Sequence, residues 1–571
     1  MLKNRTKKTF LICSLIGVLF LVVYLFSLCP TVYLIDSGEL AAVSYTLGIA
    51  HPTGYPLYTL ISYFFAHLPG EAIFNLNLLS AFITICAAVF LYLLVYDIIK
   101  ERIAAIIPVI IFSFAPTVWR ISVTNEVYPL TALLSIMILF ALYKLRNVKH
   151  FYLIIYLMGL AFTNHIIVFS LAVPVFVYLI LKYRPGFNKV ILALIFALFA
   201  ISMYVYPIAR TNGNAALAWG NTNDLQRLFW HITGKQYRIW MFSQSVQELT
   251  KNLSSGLTML LRDFLYVMII PVLMGFYYLF KKERSRFWLL ISIFLINIFY
   301  VINYSIPDIQ SYYLPAFISL VIFSAYGIKM IKKYMKLYVV LPGALIFILL
   351  NYHTCTLRNN TFAMDYSRSH LEQLPKNSLV ICAFWDIYSP MIYLKEVNNT
   401  YQDLVIIDKE LLRRTWYIKY IQTEYPGFYN GVRTAIDDYL EELFKFEYGK
   451  SYDPQVIQRK FIYMLEAFMR SRMQQGVYLA MPSPDRDLDQ SLPHYLRIPR
   501  GLVYEIKKDT AGYMPFDFTK LDINRPEIMN DERLAYSIAV ARNMVNKNIQ
   551  YLTTLGMNES AFQAKAWLGD F

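Results

Sequence analysis

Apolar segments of membrane-spanning length fill the first 350 residues of this 571-residue chain, and clusters of Lys and Arg separate them. About 20 consecutive apolar residues are enough to cross the hydrocarbon core of a bilayer as a helix. The first segment occupies residues 10–29, and later basic clusters enclose apolar stretches long enough for an outward and a return crossing. The sequence therefore predicts a polytopic α-helical membrane protein with about eleven transmembrane helices.

The basic clusters also predict the orientation of the chain, because Lys and Arg concentrate in cytoplasmic loops. They place the N-terminus in the cytoplasm, and an odd number of helices then places the C-terminal tail outside. A signal peptide is the competing interpretation of the first segment. That segment is longer than a signal core and no small-residue cleavage site follows it, so we expect a retained anchor.

Charge and composition exclude several classes of protein. Of all residues, 57% are hydrophobic and 16% are charged, and the mean hydropathy is +0.43. The net charge of +15 comes from the apolar half, because residues 1–350 hold 27 Lys and Arg against 11 Asp and Glu, whereas the remainder holds 26 against 27. A nucleic-acid-binding protein would carry its basic excess on a soluble module. Five Cys in the whole chain are too few for a disulfide scaffold.

The tail beyond about residue 352 has the composition of a soluble domain. Short apolar runs, with a helical stretch between the first two, predict an α/β fold. These runs lie at 378–384, 403–407, 476–480 and 501–506. From Arg525 to the end the pattern predicts helices with a break at Gly556. Cys355 and Cys382 are the two cysteines of this part, and their spacing leaves open whether they pair.

The predicted organisation has three parts. A transmembrane module, 1–352, carries two polar outer loops at 31–72 and 208–258. An extracytoplasmic α/β domain, 353–524, and a C-terminal helical segment, 525–571, follow it.

Two carboxylates in the first outer loop are the strongest candidates for chemistry. Asp36 and Glu39 are three residues apart, so on a helix they share a face, and residues 31–72 contain no Lys or Arg. Neighbouring like charges raise each other's pKa, which suits general acid–base catalysis. The alternative is that Asp36 caps a helix over 37–47, with Glu39 completing a capping box.

The segment DSGELAAVSYTLGIAHPTGYPLY, residues 36–58, is similar to the first outer loop of the protein O-mannosyltransferase-like family. That family is abundant in Bacteroidetes-type bacteria and has an animal relative that O-mannosylates plexin-type domains in the endoplasmic reticulum. Weaker similarities follow the chain into the tail. They are Asn125–Tyr128, Gly159-Leu160 with Thr163–His165, Trp219-Gly220, Ile232–Tyr237, Leu411-Leu412 with Trp416-Tyr417, and Gly501–Tyr504.

This family resembles the GT-C glycosyltransferases, which are polytopic enzymes that use a lipid-phosphate sugar donor. The resemblance implies that Asp36 is the base acting on the acceptor, that Glu39 supports it, and that the sugar carbon inverts. It implies a polyprenyl-phosphate sugar as donor, with mannose expected, and Ser or Thr of exported proteins as acceptor. It also implies a bacterial inner membrane with the tail in the periplasm.

Further residues are candidates for binding the donor and its phosphate. His51 and Tyr55 belong to a His-Pro-Thr-Gly-Tyr segment that resembles the His-Pro-Pro segment of classical protein mannosyltransferases, with Thr53 where many relatives have a second proline. Arg210 lies at the outer membrane surface, where an arginine can pair with a lipid phosphate or can snorkel. Glu126 and His165 lie between apolar spans facing outside, where ionisable residues are functional by default, although His165 could simply hydrogen-bond within the bundle.

Lys235, Tyr237 and Arg238 are weaker phosphate-site candidates, and the alternative for them is a solvated loop face. We expect no cofactor and no metal, because the outer loops of residues 1–350 contain no Asp-x-Asp pair. Asp485–Asp489 has that form in the tail, but its flanking prolines predict a solvated turn. The Phe384–Tyr388 stretch departs from the Gly-Asp-Asn-Asp that relatives often have at that point.

Three other functions remain as alternatives. The enzyme could transfer its sugar to a lipid or a glycan. A flippase or transporter of the lipid carrier is a rival, disfavoured because we find no inverted repeat. A non-catalytic scaffold that presents the tail is the third.

Overall fold

The computed structural model describes residues 2–482, 485–523 and 531–570, with the backbone alone for 2–6 and 570. The chain divides into two compact units, which are described separately. Unit 1 contains Met1–Cys29, His51–Ala209 and Asn223–Arg358. Unit 2 contains Pro30–Ala50, Arg210–Thr222 and Asn359–Phe571. Two stretches of the membrane half therefore group with the tail, and the predicted boundaries at 352 and 524 stay predictions.

Helices dominate the first 358 residues, interrupted by short 3-10 turns such as Ile166–Val168, Lys235–Trp240 and Ile309–Tyr313. In chain order the α-helices are α1 (Leu2–Ser27), α2 (Ser37–Thr46), α3 (Pro56–Ala66), α4 (Ala72–Ile99), α5 (Ile106–Phe114), α6 (Pro116–Ser122), α7 (Tyr128–Tyr143), α8 (Val148–Asn164), α9 (Phe169–Tyr183), α10 (Phe187–Ile201), α11 (Val205–Asn212), α12 (Leu225–Ile232), α13 (Val246–Asp263), α14 (Ile269–Lys282), α15 (Arg284–Ile302), α16 (Leu314–Ile331) and α17 (Leu337–Cys355).

Seven helices within the described residues are long and apolar enough to cross a membrane. They are Lys7–Ser27, Ala72–Ile99, Ile166–Tyr183, Phe187–Asn212, Arg284–Ile302, Ile309–Tyr334 and Leu337–Cys355. Two shorter apolar helices, α3 and α7, accompany them. The predicted polytopic helical architecture is confirmed, and the count of about eleven stays a prediction.

Burial distinguishes the central helices of unit 1 from the peripheral ones. Within Ile309–Tyr334, 78% of the most apolar stretch is buried, against 17% for the spans that form α1 and α17. Beyond Lys8, most exposed side chains on α1 are apolar, as Phe10 and Val18 show. Apolar surface that the protein does not cover is what lipid tails solvate, so α1 and α17 have the character of lipid-facing helices.

A buried asparagine fixes the N-terminal end of α16. The side-chain nitrogen of Asn297, on α15, donates to the Tyr312 carbonyl at 3.0 Å, and its side-chain oxygen accepts from the Ala316 N–H at 3.2 Å. Such interhelical bonds contribute about 0.6–2 kcal/mol in membrane proteins. Asn297 therefore holds Tyr312, which belongs to the candidate site, in one position.

Unit 2 is built around a mixed five-stranded sheet with the order β2-β1-β3-β5-β4. The tail elements are α18 (Phe362–Leu371), β1 (Leu379–Cys382), α19 (Trp385–Glu396), β2 (Val405–Asp408), α20 (Thr415–Glu424), α21 (Pro426–Glu447), α22 (Pro454–Ser471), β3 (Val477–Ala480), α23 (Arg486–Ser491), β4 (Leu496–Arg500), β5 (Val503–Lys507), α24 (Glu532–Thr554) and α25 (Asn558–Asp570). β1 pairs in parallel with β2 and β3, whereas β5 is antiparallel to β3 and β4. The predicted α/β domain is confirmed.

The strand predictions succeed where a strand is an apolar run. β1, β2 and β3 are buried along their whole length, and β5 lies within the predicted run at 501–506 apart from its last residue. β4 was not predicted, because two arginines and Pro499 interrupt its apolar residues. β4 is an edge strand, and proline is tolerated in edge strands because one side of the strand needs no donor.

The C-terminal segment forms two helices, α24 and α25, with Gly556 between them, as predicted. The start of that segment, 525–530, lies outside the described residues. Cys355 and Cys382, whose pairing the sequence left open, both carry free thiols.

The predicted solvated turn at Asp485–Asp489 is wrong, because this stretch takes part in a buried ionic cluster. The Lys409 ammonium, 4% exposed at the end of β2, lies 2.7 Å from an Asp485 oxygen and 2.9 Å from an Asp487 oxygen. The Asp485 side chain also caps α23 by accepting from the backbone N–H groups of Asp487 and Leu488. The aspartates are thus structural partners of one lysine, which local sequence cannot reveal.

We predict that Lys409→Ala loosens β2 and α23. Asp487 would keep its contact with Arg413, but the Asp485 carboxylate would lose its lysine, and removing one partner of a buried ion pair costs up to about 3–5 kcal/mol. Hydrogen exchange of the detergent-solubilised full chain should show faster exchange at both elements. The control Arg433→Ala breaks an exposed pair with Asp437 and should change protection by less than about 1 kcal/mol. Equal protection in the two variants would contradict the cluster's role.

Candidate active site

Asp36 stands at the start of α2, as the sequence predicts, but it does not cap that helix with its side chain. Asp36 has helical dihedrals (φ −93°, ψ −6°) and makes no side-chain capping bond. Its Oδ1 instead accepts a hydrogen bond of 2.8 Å from the Trp385 indole N–H, in the tail. The capping-box interpretation is therefore wrong, and the carboxylate is held by a residue about 350 positions away.

Helix α2 packs closely against α19, and this contact involves Gly38 and Glu39. A Cβ on Gly38 would lie 2.3 Å from the Ser389 carbonyl oxygen, so only glycine allows this approach. The Glu39 backbone N–H donates to the Ser389 Oγ at 3.0 Å, and the Glu39 side chain is 1% exposed. The two predicted carboxylates thus lie on a helix that is docked onto the tail.

Asp386 binds the residue that precedes Asp36. Its Oδ1 accepts the Ile35 N–H at 3.0 Å, and its Oδ2 accepts from the Arg533 guanidinium at 2.6 Å. Burial raises the pKa of Asp386, and Arg533 acts against that shift. Ile35 has φ +64°, in the left-handed region that β-branched residues rarely adopt.

Three tryptophans, here called the tryptophan cluster (Trp219, Trp385 and Trp416), pack together in unit 2. The rings of Trp219 and Trp416 stack at 4.4 Å, and Trp219 meets Trp385 edge to face at 5.9 Å. Trp219 is brought there by a parallel bridge between Ile49 and Ala218. The cluster therefore supports the indole that contacts Asp36.

Arg210 lies at the opposite end of α2 from Asp36. Its guanidinium donates to the carbonyls of Leu47 and Thr46 at 2.6 and 3.2 Å, which are orphan acceptors of the helix C-terminus. At 1.5 Å per residue, the ten residues of α2 separate its two ends by about 15 Å. This geometry favours a helix-capping role for Arg210 over contact with a phosphate beside Asp36.

In unit 1 the predicted residues His51, Tyr55 and His165 come together with Tyr128 and Tyr312, and we call these five the His–Tyr cluster. The Tyr55 Oη and the His51 Nε2 are 2.9 Å apart, within hydrogen-bond distance. The Tyr55 ring stacks on the His165 ring at 5.6 Å, and the His165 Nδ1 accepts the Ile167 N–H at 3.1 Å. His165 thus has the bonding within the bundle that the sequence left as an alternative.

The His–Tyr cluster extends to the loop that precedes α16. The Tyr128 hydroxyl donates to Asp308 at 3.0 Å, and the Tyr312 ring lies 5.1 Å from that of His165. Glu126, two residues before Tyr128, is half-buried, and its backbone N–H donates to the Ser80 Oγ at 3.3 Å. Glu126 therefore lies in the short connection between α6 and α7, two residues before Tyr128 of the cluster.

Gly54 is required in the His-Pro-Thr-Gly segment for two reasons. Its φ of +86° is unfavourable for other residues, and an added Cβ would lie 2.9 Å from the His231 Nε2. The backbone that carries His51 and Tyr55 is thus fitted against a buried histidine of α12.

A cavity of about 640 Å³ opens within unit 1 beside the His–Tyr cluster, and its lining is almost wholly apolar. Its walls include His165, Tyr312 and Tyr237 together with apolar side chains of α8, α9 and α15. In sequence Tyr237 lies between two predicted phosphate-binding cations, Lys235 and Arg238. The Lys235 ammonium sits 3.4 Å from the Trp230 ring centroid, and the Arg238 guanidinium donates to Thr233 at 3.1 Å. Pockets of 300–1,000 Å³ are typical of ligand sites.

Sequence reasoning missed the residues that the tail contributes. Trp385, Asp386 and Ser389 contact the first-loop segment, but no local pattern links positions some 350 residues apart. The sequence carries only an indirect signal for these residues. Phe384–Tyr388 begins two residues after the end of a buried strand, and ligand sites in α/β domains form at the carboxyl ends of parallel strands.

Comparison with known proteins identifies a matching family domain and a similar fold. Residues 36–186 match the family described as "Protein O-mannosyl-transferase TMEM260 N-terminal domain", and the match begins at Asp36 itself. The fold is similar to solved structures of ArnT from Cupriavidus metallidurans, one bound to undecaprenyl phosphate and one in the apo state. Each structure has a TM-score of 0.55 and 12% sequence identity to this chain, and each comparison covers 88% of this chain. It also covers 99% of the ArnT chain in the bound structure and 98% in the apo structure. The chain is a polytopic membrane protein with the predicted GT-C fold.

Two relatives of known name are similar to this chain. The protein O-mannosyl-transferase tmem260 of Dictyostelium discoideum is 23% identical over 469 residues, which is 69% of this chain and 57% of the relative. The protein O-mannosyl-transferase TMEM260 of Mus musculus is 22% identical over 433 residues, 69% of this chain and 62% of the relative. The chain thus spans less than two thirds of the length of these relatives. The predicted resemblance to the protein O-mannosyltransferase-like family is confirmed.

We predict that Gly38→Ala separates α2 from α19. The added Cβ would overlap backbone atoms of Ser389, and forcing extra atoms into a packed contact costs about 1–3 kcal/mol. The melting temperature of the solubilised chain should fall, and the amides of α2 should exchange faster. In the control Gly431→Ala, on α21, no atom lies within 4 Å of the new Cβ, so stability should hold or rise. An unchanged α2 in Gly38→Ala would refute the tight contact.

Proposed function

We propose that this chain is a GT-C glycosyltransferase that transfers mannose from a polyprenyl-phosphate donor to Ser or Thr hydroxyls of exported proteins. The observation that carries the proposal is the Asp36 carboxylate, held in a fixed position at the first residue of the match to a protein O-mannosyltransferase domain. Its relatives bear the name protein O-mannosyl-transferase, and the solved structure with the same fold binds undecaprenyl phosphate.

In the proposed reaction Asp36 is the general base. Its carboxylate takes the proton of the acceptor hydroxyl while the oxygen attacks the sugar carbon, and the lipid phosphate leaves with the bonding electrons. One base and one displacement invert the configuration of that carbon. Glu39, buried on the same helix, supports the packing that presents Asp36. A positioned base typically contributes 10²–10⁴-fold to the rate.

The large apolar cavity of unit 1 suits the polyprenyl part of the donor. Its walls are hydrophobic and aromatic. Tyr237 lines the cavity and belongs to the segment Lys235–Trp240, which also carries the cations Lys235 and Arg238. An apolar chain that ends in a phosphate needs this combination of apolar wall and nearby positive charge. We assign the phosphate to Lys235 and Arg238, and the aromatic and imidazole rings of the His–Tyr cluster to the polar end of the donor.

The basic clusters support an orientation with the N-terminus in the cytoplasm. The tail and the first-loop segment belong to one compact unit, which supports placing Asp36 and the tail on the same, extracytoplasmic side. We place the protein in the bacterial inner membrane with the tail in the periplasm, where a protein acceptor that has crossed the membrane is available.

Asp36→Asn tests the base directly. Asparagine keeps the size of the side chain and can still accept the Trp385 hydrogen bond, but it cannot take a proton. We expect transfer of labelled mannose from polyprenyl-phosphate mannose to a Ser/Thr peptide to fall by about 10²–10⁴, with donor affinity retained. The control Asp437→Asn removes an exposed carboxylate of the tail and should be fully active. Normal turnover by Asp36→Asn would remove Asp36 from the mechanism.

Ile296→Trp tests the cavity. Ile296 lines it, so a larger side chain there should obstruct the polyprenyl chain, raise KM for a long-chain donor and leave kcat nearly unchanged. The same helix supplies the control Leu295→Trp, whose side chain is 56% exposed and does not line the cavity. A mannose donor with a short lipid should be used equally by all three proteins. If Ile296→Trp and Leu295→Trp have the same long-chain KM, the cavity is not the lipid site.

A further inference from the structure

The tail places two consecutive side chains against the residues that form the proposed base. Trp385 and Asp386 open α19, three and four residues after the end of β1. Trp385 contacts the Asp36 side chain and Asp386 contacts the Ile35 backbone. The carboxyl edge of the parallel strands, where α/β domains usually bind ligands, is here used to hold a loop of the membrane half.

The Trp385 bond constrains the chemistry of Asp36 as well as its position. An indole N–H can only donate, so the carboxylate must accept, and a hydrogen bond to the ionised form favours that form. Trp385 therefore fixes the orientation of the Asp36 carboxylate. The ring of Trp219 packs edge to face on Trp385 and limits its rotation.

Asp386 acts on the backbone that carries Asp36. Ile35 adopts φ +64°, and a β-branched residue rarely keeps such a conformation unless its surroundings impose it. The bond from the Ile35 N–H to Asp386 supplies that constraint, and Arg533 of α24 holds Asp386 in turn. This chain of contacts runs from the C-terminal helices to the residue before the base.

We infer that Trp385 and Asp386 are positioning residues for the transfer reaction, so that the tail completes the active site by fixing Asp36. The inference rests on the proposed function of Asp36. It gives the tail a role besides its own folding, because an Asp36 side chain that the tail does not hold would be a poorly positioned base.

The pH dependence of kcat separates this role from a purely structural one. Trp385→Phe keeps an aromatic ring but removes the donor, so the ionised form of Asp36 loses a stabilising bond. A hydrogen bond to a charged group is worth about one to two pKa units, and the acidic limb of the kcat profile should move upward by about one unit or more. KM for the donor should stay unchanged.

Trp416→Phe is the matched control, because Trp416 belongs to the same cluster and its indole N–H has no hydrogen-bond partner among the described residues. Its acidic limb should coincide with that of the unmodified protein. If the limb of Trp385→Phe does not move, or moves no further than that of Trp416→Phe, Trp385 does not position the base. An inactive unmodified protein would instead contradict the proposed function.

Asp386→Asn gives an independent test should Trp385→Phe not fold. The neutral amide loses the ion pair with Arg533, so the side chain that accepts the Ile35 N–H is held less firmly, while the Trp385 bond to Asp36 is unchanged. We therefore expect kcat to fall by about tenfold, with the donor KM and the acidic limb of the pH profile unchanged. Asp437→Asn is again the control. A kcat for Asp386→Asn equal to that of the control would exclude Asp386 from positioning.

Discussion

The close packing of α2 on α19 is the contact on which the proposed active site depends. Gly38 lets the two helices approach until a side chain would overlap the Ser389 carbonyl, and Trp385 and Asp386 then reach Asp36 and Ile35. Without this contact the first-loop segment would be an acidic loop beside a membrane. With it, the carboxylate has one orientation, which is what a general base needs.

The two units contribute different parts of the proposed reaction. Unit 1 provides an apolar cavity, the His–Tyr cluster and two cations on one segment, which suit a lipid-linked sugar. Unit 2 provides the base and the network of tail residues that holds it. In this proposal donor binding and base positioning fall to different units, so we expect a change in the tail to alter catalysis without altering the affinity for the donor.

Local signals in the sequence predict the membrane helices, four of the five strands and the first-loop carboxylates. Each depends on a short stretch of chain: an apolar run, a basic cluster, or an acidic pair without cations. Trp385 and Asp386 could not be predicted as partners of residues 35 and 36, because only the fold joins them. Asp485 and Asp487 were misinterpreted for the same reason, since their partner Lys409 is distant in sequence.

The anomeric configuration of the product is the most direct measure of the proposed mechanism. The purified full chain would be given polyprenyl-phosphate mannose of known configuration and a Ser/Thr peptide, and the product would be examined by nuclear magnetic resonance. A single displacement assisted by Asp36 requires inversion at the sugar carbon. Retention would require two displacements and a glycosyl-enzyme intermediate, and would contradict the role of Asp36 as a base.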